Sequence, residues 1–272
     1  MNSKKGKKLK IIYSILGVLV LSIFTISVIS KENINEVNVN ANEISNKKIG
    51  WGIGRNEEHE QPDVGVKNKE LLEKSNGICL GNKEEKTIYL TFDEGYEAGY
   101  TKQMLEILKA NNVKATFFIT AHYLNTQEEL VRNMIADGHI VGNHTVNHKS
   151  MPDLTEEEIK SEIGKLHEMV KKKFDYDMKY MRPPKGEFSE RTLIETQKLN
   201  YITVMWSFAY EDWNEKKQMD LNRAKEKIIK NLHNGEIMLL HGNSKTNLNI
   251  LDWMIKEVKK EGYEFKNLDE FK

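Results

Sequence analysis

Thr87-Ile88-Tyr89-Leu90-Thr91-Phe92-Asp93-Glu94-Gly95 reads as an apolar strand over 87–92 that ends on two adjacent carboxylates and a glycine. Further along stands Gly142-Asn143-His144-Thr145-Val146-Asn147-His148, its two histidines four residues apart. Together the two stretches offer what metal-assisted hydrolysis needs, namely hard and borderline ligands and a spare base. Outward from the first strand, elements alternate. A helix is expected over 102–110, with apolar Met104, Leu105 and Leu108, and a strand over 115–120. Strands follow over 140–143, 179–182, 203–207 and 236–240, with helices near 190–199, 221–232 and 250–261 and a last short strand over 263–266. Thr126-Gln127-Glu128-Glu129 and Thr155-Glu156-Glu157-Glu158 both carry the Thr-x-x-Glu pattern of a capping box, the second opening a helix to about 174. Short strands separated by helices make parallel β/α units, and roughly seven of them point to an α/β fold of closed or nearly closed barrel type.

The polar residues fall at the strand ends. The first strand delivers Asp93 and Glu94, the strand over 139–143 delivers His144, that over 179–181 delivers Arg182, and that over 236–240 delivers His241; Asp212 and Trp213 follow the strand over 203–207. In parallel barrels the C-terminal ends of the strands converge on one face, where active sites are built. Singly, each has a plainer explanation. Asp93-Glu94-Gly95 suits a turn, the histidine loop suits an ordinary polar loop, Arg182-Pro183-Pro184-Lys185-Gly186 suits a stiff loop, and His241 suits a core histidine. Their shared position is what gives them weight. The four-residue spacing can place both imidazoles of His144 and His148 on one side of a helical turn. Thr145 stands where the zinc-protease motif has its glutamate, so this is not that motif. His122, His139, His167 and His233 are expected to be structural, and Trp51, Trp206 and Trp253 to be packing residues.

The 272 residues carry 41 Lys plus Arg against 41 Asp plus Glu, so there is no global field to draw a nucleic acid. Cys79 is the only cysteine, which excludes an intrachain disulfide and a cysteine-based zinc site. No Gly-x-Ser-x-Gly elbow is present, which disfavours a serine hydrolase. Lys4, Lys5, Lys7, Lys8 and Lys10 precede an uncharged run over 11–30, long enough to cross ~30 Å of hydrocarbon. Residues 1–30 are therefore expected to be a signal peptide or, by length, a retained membrane anchor with the body of the protein outside the cytoplasm. Residues 31–49 read as an Asn- and Glu-rich linker and 50–85 as an arm packing on a main domain over 86–272.

Thr91-Phe92-Asp93-Glu94-Gly95, His144 to His148, Arg182 to Gly186, Asp212-Trp213 and Leu239-Leu240-His241 resemble, in this order, the ordered motifs of the polysaccharide deacetylases, the NodB-homology carbohydrate esterases. The chain is similar above all to the delta-lactam-type N-acetylmuramic acid deacetylases of that family, with Gly95-Tyr96-Glu97, the run from Arg182 to Glu190 and the Trp51-Gly52 arm in support. The resemblance implies a distorted (β/α) barrel with a divalent metal, zinc being expected, in its mouth. It implies a monomeric hydrolase that removes N-acetyl groups from peptidoglycan glycan strands, with muramic acid the expected sugar and the spore cortex the setting. Asp93 would be the general base, held and kept ionised by Arg182. Glu94, His144 and His148 would hold the metal, His241 would be the acid with Asp212 behind it, and Trp213 would wall the acetyl pocket.

Two departures from the family pattern stand out. Glu94 replaces the usual aspartate, so the ion is expected to bind still but to sit differently or to rest mainly on the histidines. Lys149 replaces a common proline. Lys185 stands where many relatives carry an aromatic residue and would suit an anionic lactyl or peptide-bearing substrate. The alternatives are deacetylation of N-acetylglucosamine in peptidoglycan or chitin, and a barrel that only binds glycan.

Overall fold

A computed structural model describes residues 44–54 and 59–271. The expected signal or anchor over 1–30 lies outside the described residues. Among the described residues no helix is long and apolar enough to cross a membrane.

In chain order the elements are β1 (Ile49–Gly50), α1 (Val66–Lys74), β2 (Thr87–Glu94), α2 (Thr101–Ala110), β3 (Thr116–Ile119), α3 (Ala121–Thr126), α4 (Glu128–Ala136), β4 (Ile140–Asn143), α5 (Glu156–Phe174), β5 (Tyr180–Met181), β6 (Glu187–Phe188), α6 (Glu190–Lys198), β7 (Ile202–Thr203), α7 (Leu221–Asn231), β8 (Glu236–His241), α8 (Lys245–Lys260) and β9 (Glu264–Lys266). The main sheet runs β7-β5-β4-β3-β2-β8, and β9 joins β2. All its pairings are parallel. The chain beyond β7 closes the ring. Phe208 bridges Met238 in parallel, and the Leu239 N–H donates to the Phe208 carbonyl at 2.9 Å.

Side chains alternate across a strand, so each strand feeds two compartments. Tyr89, Phe118, Ile140, Tyr180, Val204 and Ile237 fill the barrel interior. Ile88, Leu90, Phe92, Phe117, Val141, Met238 and Leu240 face the helices and pack with Leu105 and Leu108 of α2, Ile163 of α5 and Ile255 of α8. This parity decides the site, because the odd-numbered residues of β2 and β8 climb the interior to Asp93 and His241. Gly142 belongs to the interior set, and a Cβ there would lie 2.5 Å from the Phe118 ring. Its absence lets Phe118 sit beneath the Arg182 guanidinium, 4.2 Å from ring centroid to carbon.

The helix expected to open at Thr155 does so with both capping-box bonds, carries Glu156 to Glu158 in its first turn and Lys171 to Lys173 in its last, and ends at Phe174. The pattern at Thr126 does not cap. Thr126 closes α3 and donates to the His122 carbonyl at 2.9 Å, while α4 starts without a side-chain cap. A preceding helix has already claimed the residue. The helix expected from 250 begins earlier, at Lys245, on a Ser244 cap.

Part of the stretch expected to be linker, 31–49, lies outside the described residues, and the rest packs on the domain. The chain is docked from Ser45, whose N–H donates to Glu190 at 3.1 Å, and Lys48 pairs with Asp153 at 2.6 Å. β1 then pairs antiparallel with β6. Trp51 donates its main-chain N–H to Gly186 and its indole N–H to the Trp206 carbonyl, each at 2.8 Å, pinning the arm to the loop that carries Lys185.

Candidate active site

A cavity of ≈ 1070 Å³ opens where the parallel strands end, lined by Asp93, His144, His148, Lys185, Trp213 and His241 together with residues of the neighbouring loops. Asp93 ends the interior row of β2. Its Oδ1 accepts from Arg182 Nη1 at 2.8 Å. Arg182 is wholly buried, donates Nη2 to Thr91 at 2.9 Å and Nε to the Val204 carbonyl at 3.2 Å, and so is fixed on three sides. Burial pushes the Asp93 carboxyl up, but the Arg182 guanidinium, helped by His144 and His241, outweighs it and holds the group below its ordinary value.

His144 and His148 converge, with their Nε2 atoms 3.1 Å apart. They do so on a loop and not on a helical turn. Thr145 and His148 both take left-handed φ, 68° and 55°. A non-glycine residue in that region costs of order 1–3 kcal/mol, so the loop needs compensation. It comes from Asn143, which accepts from the Thr145 N–H at 2.9 Å, and from Glu162 of α5, which accepts from the Asn147 N–H at 2.7 Å. His144 Nδ1 donates to the Arg182 carbonyl at 2.8 Å, which leaves Nε2 as the lone-pair nitrogen. Burial keeps both imidazoles neutral, and His148, where a second proton would also meet the neighbouring His144, falls to about 4. Asp93 Oδ2 lies 3.5 Å from His144 Nε2. Two neutral imidazole nitrogens meeting beside a carboxylate fit a divalent ion of the zinc kind.

Glu94 does not join them. It belongs to the even-numbered row of β2, so strand alternation turns it away from the cavity and toward α2. It is wholly buried, its Oε1 lies 3.5 Å from Thr101 Oγ1, and its Oε2 has no hydrogen-bond partner. Its carboxyl fills the space beside Gly242, where a Cβ would meet Oε1 at 2.0 Å. Burial, with Glu97 and Asp93 nearby, pushes its carboxyl well above the ordinary value. Among the described residues no three His, Cys, Asp or Glu side chains form a metal-holding group. Of the expected ligands Glu94, His144 and His148, the structure brings the two histidines together and leaves Glu94 outside the cavity. Zinc affinity of Glu94→Gln, measured by competition titration, should stay within about threefold of the parent. His144→Ala should lose more than the ~10–100-fold that removal of an outer-shell partner costs.

On the strand beside Asp93, where His241 is its register partner, His241 Nδ1 donates to Asp212 Oδ1 at 2.7 Å, and the His241 main-chain N–H donates to Oδ2 at 2.9 Å. Asn247 of α8 donates Nδ2 to the same Oδ2 at 2.6 Å, and the Tyr210 hydroxyl donates to the Asn247 side-chain Oδ1. Asp212 thus fixes both ring and backbone of His241. Burial lowers the imidazole pKa, but the Asp212 carboxylate more than restores it, to above the ordinary value. The Trp213 ring stands 5.8 Å from that of His241. Lys185 reaches the cavity from a left-handed position, φ 60°, followed by Gly186 at φ 64°.

Two residues expected to be structural, His122 and Trp206, line the cavity as well. His139 and His233 are buried and structural, His233 bonding Ser207 at 2.8 Å. Sequence reasoning missed Thr120, Asn243 and Asn247. Thr120 follows β3 and Asn243 follows β8, so the strand-end rule applied to Asp93 and His241 would have found both. Asn247 sits inside a helix and gave no signal.

The polysaccharide deacetylase family profile matches residues 80–204. The chain is 43% identical to the peptidoglycan-N-acetylmuramic acid deacetylase PdaA of Bacillus subtilis over 231 residues, 85% of this chain and 88% of that one. The solved structure of Bacillus subtilis PdaA, a family 4 carbohydrate esterase, superposes with a TM-score of 0.81 at 42% identity, covering 84% of this chain and 98% of that one. A family 4 carbohydrate esterase from Bacillus anthracis gives 0.71 at 38% identity, covering 84% and 97%. With sequence, fold and the strand-end constellation in agreement, the chain belongs to the polysaccharide deacetylase family.

Proposed function

We propose that the protein is a hydrolase that removes N-acetyl groups from peptidoglycan, with N-acetylmuramic acid as the sugar. The observation that carries this is a carboxylate and an imidazole side by side at the ends of two neighbouring strands and facing one cavity, Asp93 held by Arg182 and His241 held by Asp212. Pure glycan binding has no use for an acid and a base so positioned. The relatedness to PdaA supplies the substrate.

Amide hydrolysis needs an activated water, a site for the oxyanion and a proton for a poor leaving group. Asp93, with Oδ1 engaged by Arg182, takes the water's proton through Oδ2. His241 gives a proton to the departing amine from Nε2, since Nδ1 is committed to Asp212. Gly186 spends its N–H on the Pro183 carbonyl at 3.1 Å, which makes the Lys185 N–H the turn's donor to the oxyanion. Trp213 walls the side of the acetyl group. A zinc ion held by His144 and His148 would supply a Lewis acid that acidifies water and polarises the carbonyl. Residues 1–30 would place the domain outside the cytoplasm, at the wall or spore cortex.

The Lys185 ammonium suits the lactyl carboxylate that distinguishes muramic acid from glucosamine. Lys185→Ala is expected to erode the preference for muramic acid by roughly tenfold, the worth of one charge-assisted contact, in paired kcat/KM measurements. The base limb of the kcat profile should lie above pH ~6.5, because His241 must stay protonated and its pKa is raised. Asp212→Asn removes the anion that raises it, so that limb should move to lower pH.

The deciding experiment is acetate release from stem-free peptidoglycan, with the product sugars identified by mass. Deacetylated muramic acid, with lactam appearing, is the expected result. Loss from glucosamine alone would move the enzyme to the other substrate, and no acetate with zinc present would favour glycan binding without turnover.

A further inference from the structure

We propose that Tyr96 is the floor of a subsite for the sugar next to the reacting one, so that the protein grips two consecutive rings of a glycan strand. The inference rests on the reading of the protein as a glycan deacetylase. Among the described residues Tyr96 and Trp213 are the two exposed aromatic side chains, at 45% and 53%, and both line the same cavity. The remaining exposed large apolar residues are aliphatic and lie elsewhere in the chain. Aromatic rings left open to water at the mouth of a cavity are contact surface awaiting a partner. A pyranose presents a face of C–H groups, and a flat ring with few rotatable bonds covers it at little entropic cost.

The two rings are built as one unit. Asn243 donates Nδ2 to the Tyr96 hydroxyl at 3.1 Å and to the Trp213 carbonyl at 3.0 Å. The Tyr96 hydroxyl in turn donates to Glu215. Because the Trp213 acceptor is a carbonyl, the Asn243 atom facing it must be the nitrogen, which settles the amide orientation. Asn243 Oδ1 then has no donor among the described residues and is available to a sugar hydroxyl. Trp213 stands beside His241, hence beside the sugar losing its acetyl group, and Tyr96 is joined to it through Asn243, which assigns Tyr96 to the neighbouring ring.

The test is calorimetric binding of N-acetylmuramic acid and of stem-free tetrasaccharide to the full-length protein. The parent should bind the tetrasaccharide more tightly. Tyr96→Ala should lose roughly tenfold in tetrasaccharide affinity, the scale of one aromatic contact, and hold the monosaccharide within about twofold. Tyr96→Phe keeps the ring and should retain most of the gain. In kinetics the loss should appear in KM for the tetrasaccharide and leave kcat in place. Equal binding of monosaccharide and tetrasaccharide by the parent overturns the subsite, as does a Tyr96→Ala loss that is the same for both. A parent that prefers the tetrasaccharide but releases no acetate supports the subsite and defeats the function proposed above.

Discussion

Asp93→Asn is expected to lower kcat for acetate release by ~10²–10⁴-fold, the contribution of a positioned general base. The amide is close to the carboxylate in shape and still offers an oxygen to Arg182 Nη1, now 2.8 Å from Oδ1. It cannot take a proton. Glycan affinity should therefore persist while turnover collapses, and that separation is what tells a catalyst from a binding barrel. Stability should fall by ~1–3 kcal/mol, because a buried cation loses its anion but keeps an acceptor. Turnover within tenfold of the parent would remove Asp93 from the role of base and leave the cavity without one.

The barrel was legible because the sequence alternates cleanly. The run from Thr87 to Phe92, the strand over 140–143 and the capping box at Thr155 each state their structure locally, and the polar residues stop where the strands stop. What escaped was set by tertiary contacts. Thr126 satisfies the capping pattern but belongs to α3, a helix too short to announce itself. The histidine loop needs Glu162, in the second turn of α5, to hold left-handed residues that no local pattern foretells. Glu94 is different, because its placement was readable from parity. If Asp93 points into the barrel, its neighbour on the same strand points out, as Leu90 and Phe92 do. Motif resemblance set that alternation aside, and the strand kept to it through its last residue. The family relationship fixes the reaction class, while the address of each carboxylate is decided by strand geometry.

Arg182→Met should be the most damaging single change to the fold among the site residues. The guanidinium is wholly inaccessible and makes its bonds to Asp93, Thr91 and Val204 inside the barrel, over the Phe118 ring. Removing the cation leaves the Asp93 carboxylate buried without its partner, and breaking a buried pair from one side costs ~3–5 kcal/mol. In a domain of this size that corresponds to a fall in Tm of roughly 10 °C. Activity should vanish with it, since the carboxyl loses the charge that holds its pKa down. A double variant, Asp93→Asn with Arg182→Met, separates the two causes. It buries no unpaired charge, so it should be more stable than Arg182→Met alone, although it lacks one more native group. If instead the double variant is the less stable by the sum of the single losses, then the pair is not coupled, and Arg182 acts through packing on Phe118 and its bond to Val204 rather than through the base.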